Sequence, residues 1–121
     1  MSAERLVEDA LRDILDAART AIEFVIEESD GDFSVDKKTE FAVIRALEIV
    51  GEAARRIPTS YREEHPHIPW AEMAGMRDKL VHDYFGVDFD VVLKTVHQDL
   101  PPLVTAIQAL LGDQSDRGHQ S

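Results

Sequence analysis

The hydrophobic positions of the chain recur at steps of three and four residues, the spacing that places side chains on one face of an α-helix. The first such run predicts a helix over residues 3–28, with Ser2 as its N-cap. Turn residues follow at 29–32, and a second run predicts a helix over residues 36–56. The apolar positions of the two runs are Leu6, Ala10, Ile14, Ala17, Ala18, Ala21, Ile22, Val25 and Ile26, then Phe41, Ile44, Leu47, Ile49, Val50, Ala53 and Ala54.

Three prolines interrupt this pattern between residues 58 and 69. Pro58 ends the second helix, and the stretch after it has room for one short helical turn near residues 60–64. Pro69 suits the first position of a third helix, because the N–H that proline lacks would have no partner there. The apolar residues of this third helix are Trp70, Met73, Met76, Leu80 and Val81.

A fourth helix is predicted after Gly86, running to about residue 111. Pro101 and Pro102 fall inside it and either kink it or begin a fresh helical segment. The polar tail over residues 112–121 has little to bury and is expected to be disordered. The chain is therefore predicted to be all-α, with one domain over residues 1–111. Its architecture is an up-and-down bundle of about four main helices plus a short connecting helix.

Composition agrees with a globular domain and narrows the chemistry. The 121 residues suffice for one domain, and 44% of them are hydrophobic and 31% charged. The chain has no cysteine, which excludes a disulfide framework, a thiolate metal site and a cysteine nucleophile. It also has neither a signal-peptide pattern nor an apolar run near the ~18–20 residues of a membrane span. A cytoplasmic protein without a membrane partner is expected.

The net charge is strongly negative. Thirteen Lys and Arg face 24 Asp and Glu, which gives −11. Such a chain repels polyanions at long range, and this argues against nucleic acid as a ligand unless folding assembles a local basic groove. Because the acids are spread along the chain, a solvated surface explains most of them.

One short stretch, residues 76–88, concentrates reactive side chains. Arg77 carries a guanidinium whose fork of donors fits phosphate oxygens, and His82 can take or give a proton near neutral pH. The pair suffices to cleave a phosphodiester through an adjacent 2′-hydroxyl without a metal or other cofactor. The structural alternative is an arginine paired with a carboxylate and a histidine bonded to backbone. The histidines at 65 and 67 lack further ligands at metal-site spacing, so no metal site is predicted.

Helical geometry complicates this pairing. At about 100° per residue, Arg77 and His82 lie roughly 140° apart on one helix, whereas Arg77 and Tyr84 lie within about 20°. Three arrangements would bring Arg77 and His82 together: a long arginine reach, an unwound helix end at Gly86, or a second subunit supplying the same set across a two-fold axis.

The order Arg77-x4-His82-x-Tyr84 resembles the R-x4-H-x-Y signature of the HepT toxins, a family of the HEPN ribonuclease superfamily. Further segments resemble the family in the same order, so the similarity covers roughly residues 5–111. These segments are 47–54 (LEIVGEAA), 65–70 (HPHIPW), 73–77 (MAGMR) and 99–101 (DLP).

The resemblance implies a HEPN-like fold and a catalytic role for Arg77 and His82. It also implies a homodimer in which two copies of the motif share one cleft. Asp78 stands where the family often has another polar residue, and it is expected to support the pair by orienting it. Glu52 is interpreted as a second supporting residue, a buried partner for Arg45 or Arg77.

Tyr84 matches the tyrosine that an MntA-type nucleotidyltransferase antitoxin modifies with AMP in this family. A bulky, anionic adenylate beside the cleft would block an incoming RNA phosphate by steric hindrance and like charge. The nucleotidyltransferase is therefore the expected protein partner, and RNA, with tRNA as one candidate, is the expected substrate.

Two functions of different classes remain open at this point. The first is the toxin of a toxin–antitoxin pair, a metal-independent endoribonuclease neutralised by AMP addition to Tyr84. The second is a non-catalytic helical module that binds a nucleotidyltransferase partner or a nucleotide. The complete Arg77, His82 and Tyr84 set favours the first, and the acidity of the chain favours the second.

Overall fold

The computed structural model describes the backbone of residues 3–28, 37–82 and 89–119, and the side chains of residues 5–25, 38–76 and 92–112. This part of the chain is helical and contains no strand, which confirms the predicted all-α class. The six helices are α1 (Ala3–Glu28), α2 (Lys37–Arg56), α3 (Thr59–Glu64), α4 (Trp70–His82), α5 (Phe89–Gln98) and α6 (Leu100–His119).

The two C-terminal helices settle the alternatives for Pro101 and Pro102. A single turn residue, Asp99, separates α5 from α6, so the prolines begin a fresh segment. They occupy the first turn of α6, where a missing N–H costs little. The backbone N–H of Asp99 donates to Thr95 at 2.9 Å, and that of Leu103 donates to Asp99 at 3.4 Å. These hydrogen bonds connect the last turn of α5 to Asp99 and Asp99 to the first turn of α6.

The end of α6 bears on the predicted domain boundary. This helix passes residue 111 without a break and continues to His119, into the segment for which the sequence predicted a disordered tail. This helix does not test where the domain ends, and the boundary between a domain over residues 1–111 and a tail over 112–121 stays a prediction.

Helix α1 is the centre of the bundle. It packs against α2, α5 and α6, and α2 in turn packs against α4. Alanines along the facing sides of α1 and α2 let the two helices approach closely, and larger side chains fill the remaining space. The largest fully buried side chains are Leu11, Ile14, Val25, Val43, Leu47, Val50, Ile57, Met73, Val96, Leu100 and Ile107.

Among the described residues of the predicted apolar stripes, two are exposed. Leu6 is 47% exposed and Phe41 is 54% exposed. Helical periodicity places Phe41 on the edge of α2 that carries Arg45 and Glu48, away from the stripe that faces α1. Among the described residues, none of the helices combines the length and the hydrophobicity that spanning a bilayer requires.

Candidate active site on helix α4

A cluster of rings fixes the start of α4. The buried indole of Trp70 donates from Nε1 to the backbone carbonyl of His65 at 2.9 Å. The Tyr61 ring meets the Trp70 ring edge-on at 6.2 Å between centroids and the His65 ring at 4.5 Å. Because the same residues link α3, the connector and the first turn of α4, they hold the entry angle of that helix.

Sequence reasoning missed the part that Tyr61 plays in this cluster. The residue is 9% exposed although its short helix, α3, otherwise consists of polar residues. A single aromatic residue within a polar turn was the available signal, because such a ring is usually buried. Tyr61 is a positioning residue for α4, acting through Trp70 and His65.

The first turns of α4 are anchored on the core. The backbone N–H of Met73 donates to Pro69 at 3.1 Å, which starts the helical hydrogen bonds, and the Met73 side chain is 2% exposed. Met76 is half-buried and packs against the same core. Helix α4 packs against α2 and continues to His82. Residues 77–82 therefore form the last turn and a half of a helix whose start is anchored on the core.

The predicted catalytic residues Arg77 and His82, and the supporting Asp78, belong to this last part of α4. Their side chains lie outside the described set, and Tyr84 lies outside the described residues altogether. On a continuous helix the Cα atoms of Arg77 and His82 are separated by about 7.5 Å of rise and 140° of rotation, whereas Asp78 and His82 share a face. The roles of all four residues stay predictions.

Glu52 lies on α2 and pairs with Arg45, one of its two expected partners. Arg45 Nη1 donates to Glu52 Oε1 at 3.3 Å and to Glu48 Oε2 at 3.1 Å. The Glu52 side chain is 41% exposed, so the expectation of a buried pair was wrong. The reason is helical register: positions 45, 48 and 52 share the edge of α2 that faces solvent. The contribution of Glu52 to the site stays a prediction.

The same contacts act on the charge of Arg45. The side-chain hydrogen bond to Glu48, followed by that to Glu52, raises the pKa of Arg45 above its ordinary value. Arg45 is thus a cation whose charge is already offset by two carboxylates. Arg56 likewise donates to Asp13 across the α1–α2 interface. Two of the arginines that could have supplied a basic groove are thus paired with acids.

The histidines of the connector do not form a metal site with their described neighbours. The rings of His65 and His67 are 6.0 Å apart between centroids. Across the described residues, no group of three His, Asp or Glu side chains is arranged to hold a metal ion.

Comparison with known proteins identifies the family. Residues 14–110 match the family model described as ribonuclease HepT-like. A probable ribonuclease HepT of Thermococcus cleftensis is 55% identical over 100 residues, which cover 83% of this chain and 91% of that protein. A putative RNase of Methanocaldococcus jannaschii is 42% identical over 106 residues, covering 88% and 97%. A putative RNase of Caldanaerobacter subterraneus is 42% identical over 93 residues, covering 74% and 83%.

No solved structure matches the chain significantly. The family model nevertheless spans α2 to α5 completely and just over half of both α1 and α6, and it includes the Arg77 to Tyr84 stretch. The relatives are aligned over most of their own lengths as well. The chain belongs to the ribonuclease HepT-like family.

Proposed function

We propose that this chain is a metal-independent endoribonuclease that acts in the cytoplasm as the toxin of a toxin–antitoxin pair. The observation that carries the proposal is the family match over residues 14–110, which includes the intact Arg77-x4-His82 spacing. The names of the relatives, a probable ribonuclease HepT and putative RNases, support RNA as the substrate.

The chemistry follows from the two side chains. His82 takes the proton of a ribose 2′-hydroxyl, whose oxygen attacks the neighbouring phosphorus, and the bond from phosphorus to the 5′-oxygen breaks. A proton delivered to that oxygen, from a second histidine or from water, completes the leaving group. Arg77 neutralises the charge that grows on the phosphoryl oxygens. The products are a 2′,3′-cyclic phosphate and a 5′-hydroxyl.

A homodimer completes the site in this proposal. Arg77 and His82 diverge by about 140° on one helix, so a single α4 does not aim both at one phosphate without further adjustment. In a two-fold dimer with the C-terminal half of α4 at the interface, the arginine of one protomer can face the histidine of the other. Such a dimer also supplies two histidines, one for each proton transfer.

Tyr84 provides the control point in this proposal. A nucleotidyltransferase of the MntA type transfers AMP from ATP to the Tyr84 hydroxyl, and pyrophosphate leaves. Because Tyr84 follows His82 by two residues, the added phosphate and adenosine lie beside the cleft and repel an RNA phosphate. Co-expression with the partner should add the mass of AMP to the intact chain, and Tyr84→Phe should abolish the addition.

The test of the enzyme uses purified chain and labelled RNA. Wild type should cleave with EDTA present and leave cyclic phosphate ends, and His82→Ala or Arg77→Ala should lower the rate by about 10²–10⁴-fold. The matched control is His97→Ala, which removes an exposed histidine of α5. Full activity in His82→Ala, or a requirement for a divalent metal, would contradict the mechanism.

The second candidate is the non-catalytic module that binds a nucleotidyltransferase or a nucleotide. The acidity favours it: the net charge is −11, and Arg45 and Arg56 are engaged by carboxylates. Growth after induction of the chain alone separates the two functions. Arrest by wild type, relieved in Arg77→Ala/His82→Ala at matched expression, supports the toxin. Equal growth, in a host sensitive to a known relative, supports the module.

A further inference from the structure

An open groove runs between the first two turns of α4 and the junction of α5 with α6. Its volume is about 280 Å³, near the lower end of the roughly 300–1,000 Å³ typical of small-molecule sites. It is therefore better matched to one or two side chains of a protein than to a whole cofactor. Its walls come from two segments that are far apart in sequence, which is why no sequence motif points to it.

The floor of this groove is apolar. Met73 and Leu103, both buried, form it together with the half-buried Met76. Methionine has an unbranched, polarisable side chain that adapts to partners of different shape, and it is common on protein-binding surfaces. The floor can thus accept an apolar side chain from another molecule.

The rim of the groove is acidic. Glu72 of α4 and Asp99 of the α5–α6 junction are exposed, and neither carboxylate has a hydrogen bond or ion pair with the described residues. Two exposed carboxylates without a partner among the described residues repel an RNA backbone and attract lysine or arginine. A second copy of this chain would bring the same carboxylates and the same net charge of −11. Charge complementarity therefore selects a basic protein segment.

Gly75 keeps one side of the groove open. It lies in the middle of α4 and is exposed, and a Cβ atom built on it would meet nothing within 4 Å. Glycine destabilises a helix interior relative to alanine, and the described part of the chain offers no packing reason for it here. Its effect is to leave room beside the apolar floor.

We propose that this groove docks a basic, amphipathic segment of the partner nucleotidyltransferase. An apolar side chain of the segment enters between Met73, Met76 and Leu103, and its lysines or arginines pair with Glu72 and Asp99. The identity of the partner rests on the function proposed above. Because Arg77 directly follows Met76, a segment seated here lies within about one helical turn of the predicted catalytic arginine.

The first test fills the groove. Binding of the purified nucleotidyltransferase to the full chain, without ATP, is measured by calorimetry for wild type, Gly75→Leu and Gly112→Leu. Gly112 is the matched control, because it is also exposed in a helix with nothing within 4 Å of an added Cβ. Gly75→Leu should raise the Kd about tenfold or more, because the added side chain blocks the place of a central interface residue of the partner. Gly112→Leu should bind as wild type does.

The second test reverses the rim. The double variant Glu72→Lys/Asp99→Lys should raise the Kd by a similar factor and make the Kd less dependent on salt. The control is Asp9→Lys/Glu23→Lys, which makes the same charge change at two exposed positions of α1. Because all four side chains are exposed, these variants decide the question even where Gly75→Leu does not fold, as checked by circular dichroism.

The possible results distinguish a failure of the docking proposal from a failure of the proposed function. If wild type and both groove variants bind the partner equally well, the docking proposal is wrong, and the proposed pairing with a nucleotidyltransferase stands. Failure of wild type itself to bind refutes the pairing and the groove with it. Normal partner binding combined with weaker RNA binding, measured by fluorescence anisotropy in a His82→Ala background, makes the groove an RNA surface and overturns the proposal.

Discussion

The ring cluster at the start of α4 leads to a stability prediction that tests how this helix is held. Trp70→Phe retains an aromatic ring but removes the Nε1 donor that bonds the His65 carbonyl at 2.9 Å. A hydrogen bond of this kind contributes about 0.5–1.5 kcal/mol, and the smaller ring leaves unfilled space in a site that is 6% exposed. Trp70→Phe should therefore lower the free energy of unfolding by about 1–3 kcal/mol.

Trp70→Ala extends the same measurement. It removes the edge-on contact with Tyr61, at 6.2 Å between ring centroids, in addition to the hydrogen bond. Loss of a buried aromatic side chain costs about 3–5 kcal/mol, a large share of the roughly 6–18 kcal/mol expected for a domain of this length. The variant should be folded but clearly less stable, and a graded loss from wild type to Phe to Ala is expected.

The assay is urea denaturation followed by circular dichroism at 222 nm, since the substitutions remove the only tryptophan of the chain as a fluorescent probe. His67→Ala is the control, because it truncates an exposed ring of the same connector. Equal midpoints for wild type, Trp70→Phe and Trp70→Ala would refute the reasoning. If the cluster also positions residues 77–82, Trp70→Phe should lower the rate of RNA cleavage under conditions where it remains fully folded.

Three further predictions concern the rest of the fold. Leu47→Ala should destabilise the chain by about 2–5 kcal/mol in urea titrations, because the side chain is 1% exposed between α2 and its neighbours; the exposed Leu6→Ala should cost much less, and equal losses would contradict the assigned core. Glu52→Gln should leave the midpoint of unfolding close to wild type, because its ion pair with Arg45 is solvent-exposed; a large loss would indicate a further structural role. Gly112→Ala should raise the stability by about 0.4–1 kcal/mol, provided that α6 is continuous there, and a decrease would argue against that helix.

The helices could be predicted closely from the sequence because their signals are local. The bounds of α1 and α2 follow from three–four periodicity, and the start of α4 follows from Pro69. The position of Pro101 and Pro102 restricted the fourth helix to two arrangements, of which the structure has the separate segment. These features depend on a few neighbouring residues and on backbone chemistry that does not change with the tertiary context.

Burial at the edges of helices could not be predicted in the same way. Phe41 and Glu52 lie on one edge of α2, and the sequence suggested a core position for the first and a buried pair for the second. A periodic pattern gives the direction of a residue around its helix, but the width of the covered face depends on where the neighbouring helices pack. The same limit applies to the α4 groove, whose acidic rim combines Glu72 with Asp99 from a different helix junction.

The distribution of charge along α4 makes the acidity of the chain compatible with the RNA substrate proposed above. In its first two turns, Glu72 adds to the exposed carboxylate of Asp99, and this half of the helix repels phosphate. Positions 77 and 79, in the second half, carry an arginine and a lysine. At about 0.1 M salt, fields between exposed charges fade over roughly 10 Å, and the two halves of α4 are separated by a similar distance. A phosphate at the second half is therefore partly screened from the acids of the first. The net charge of −11 thus limits long-range attraction of RNA, but it is compatible with the proposed RNA binding at the motif and the proposed protein docking beside it.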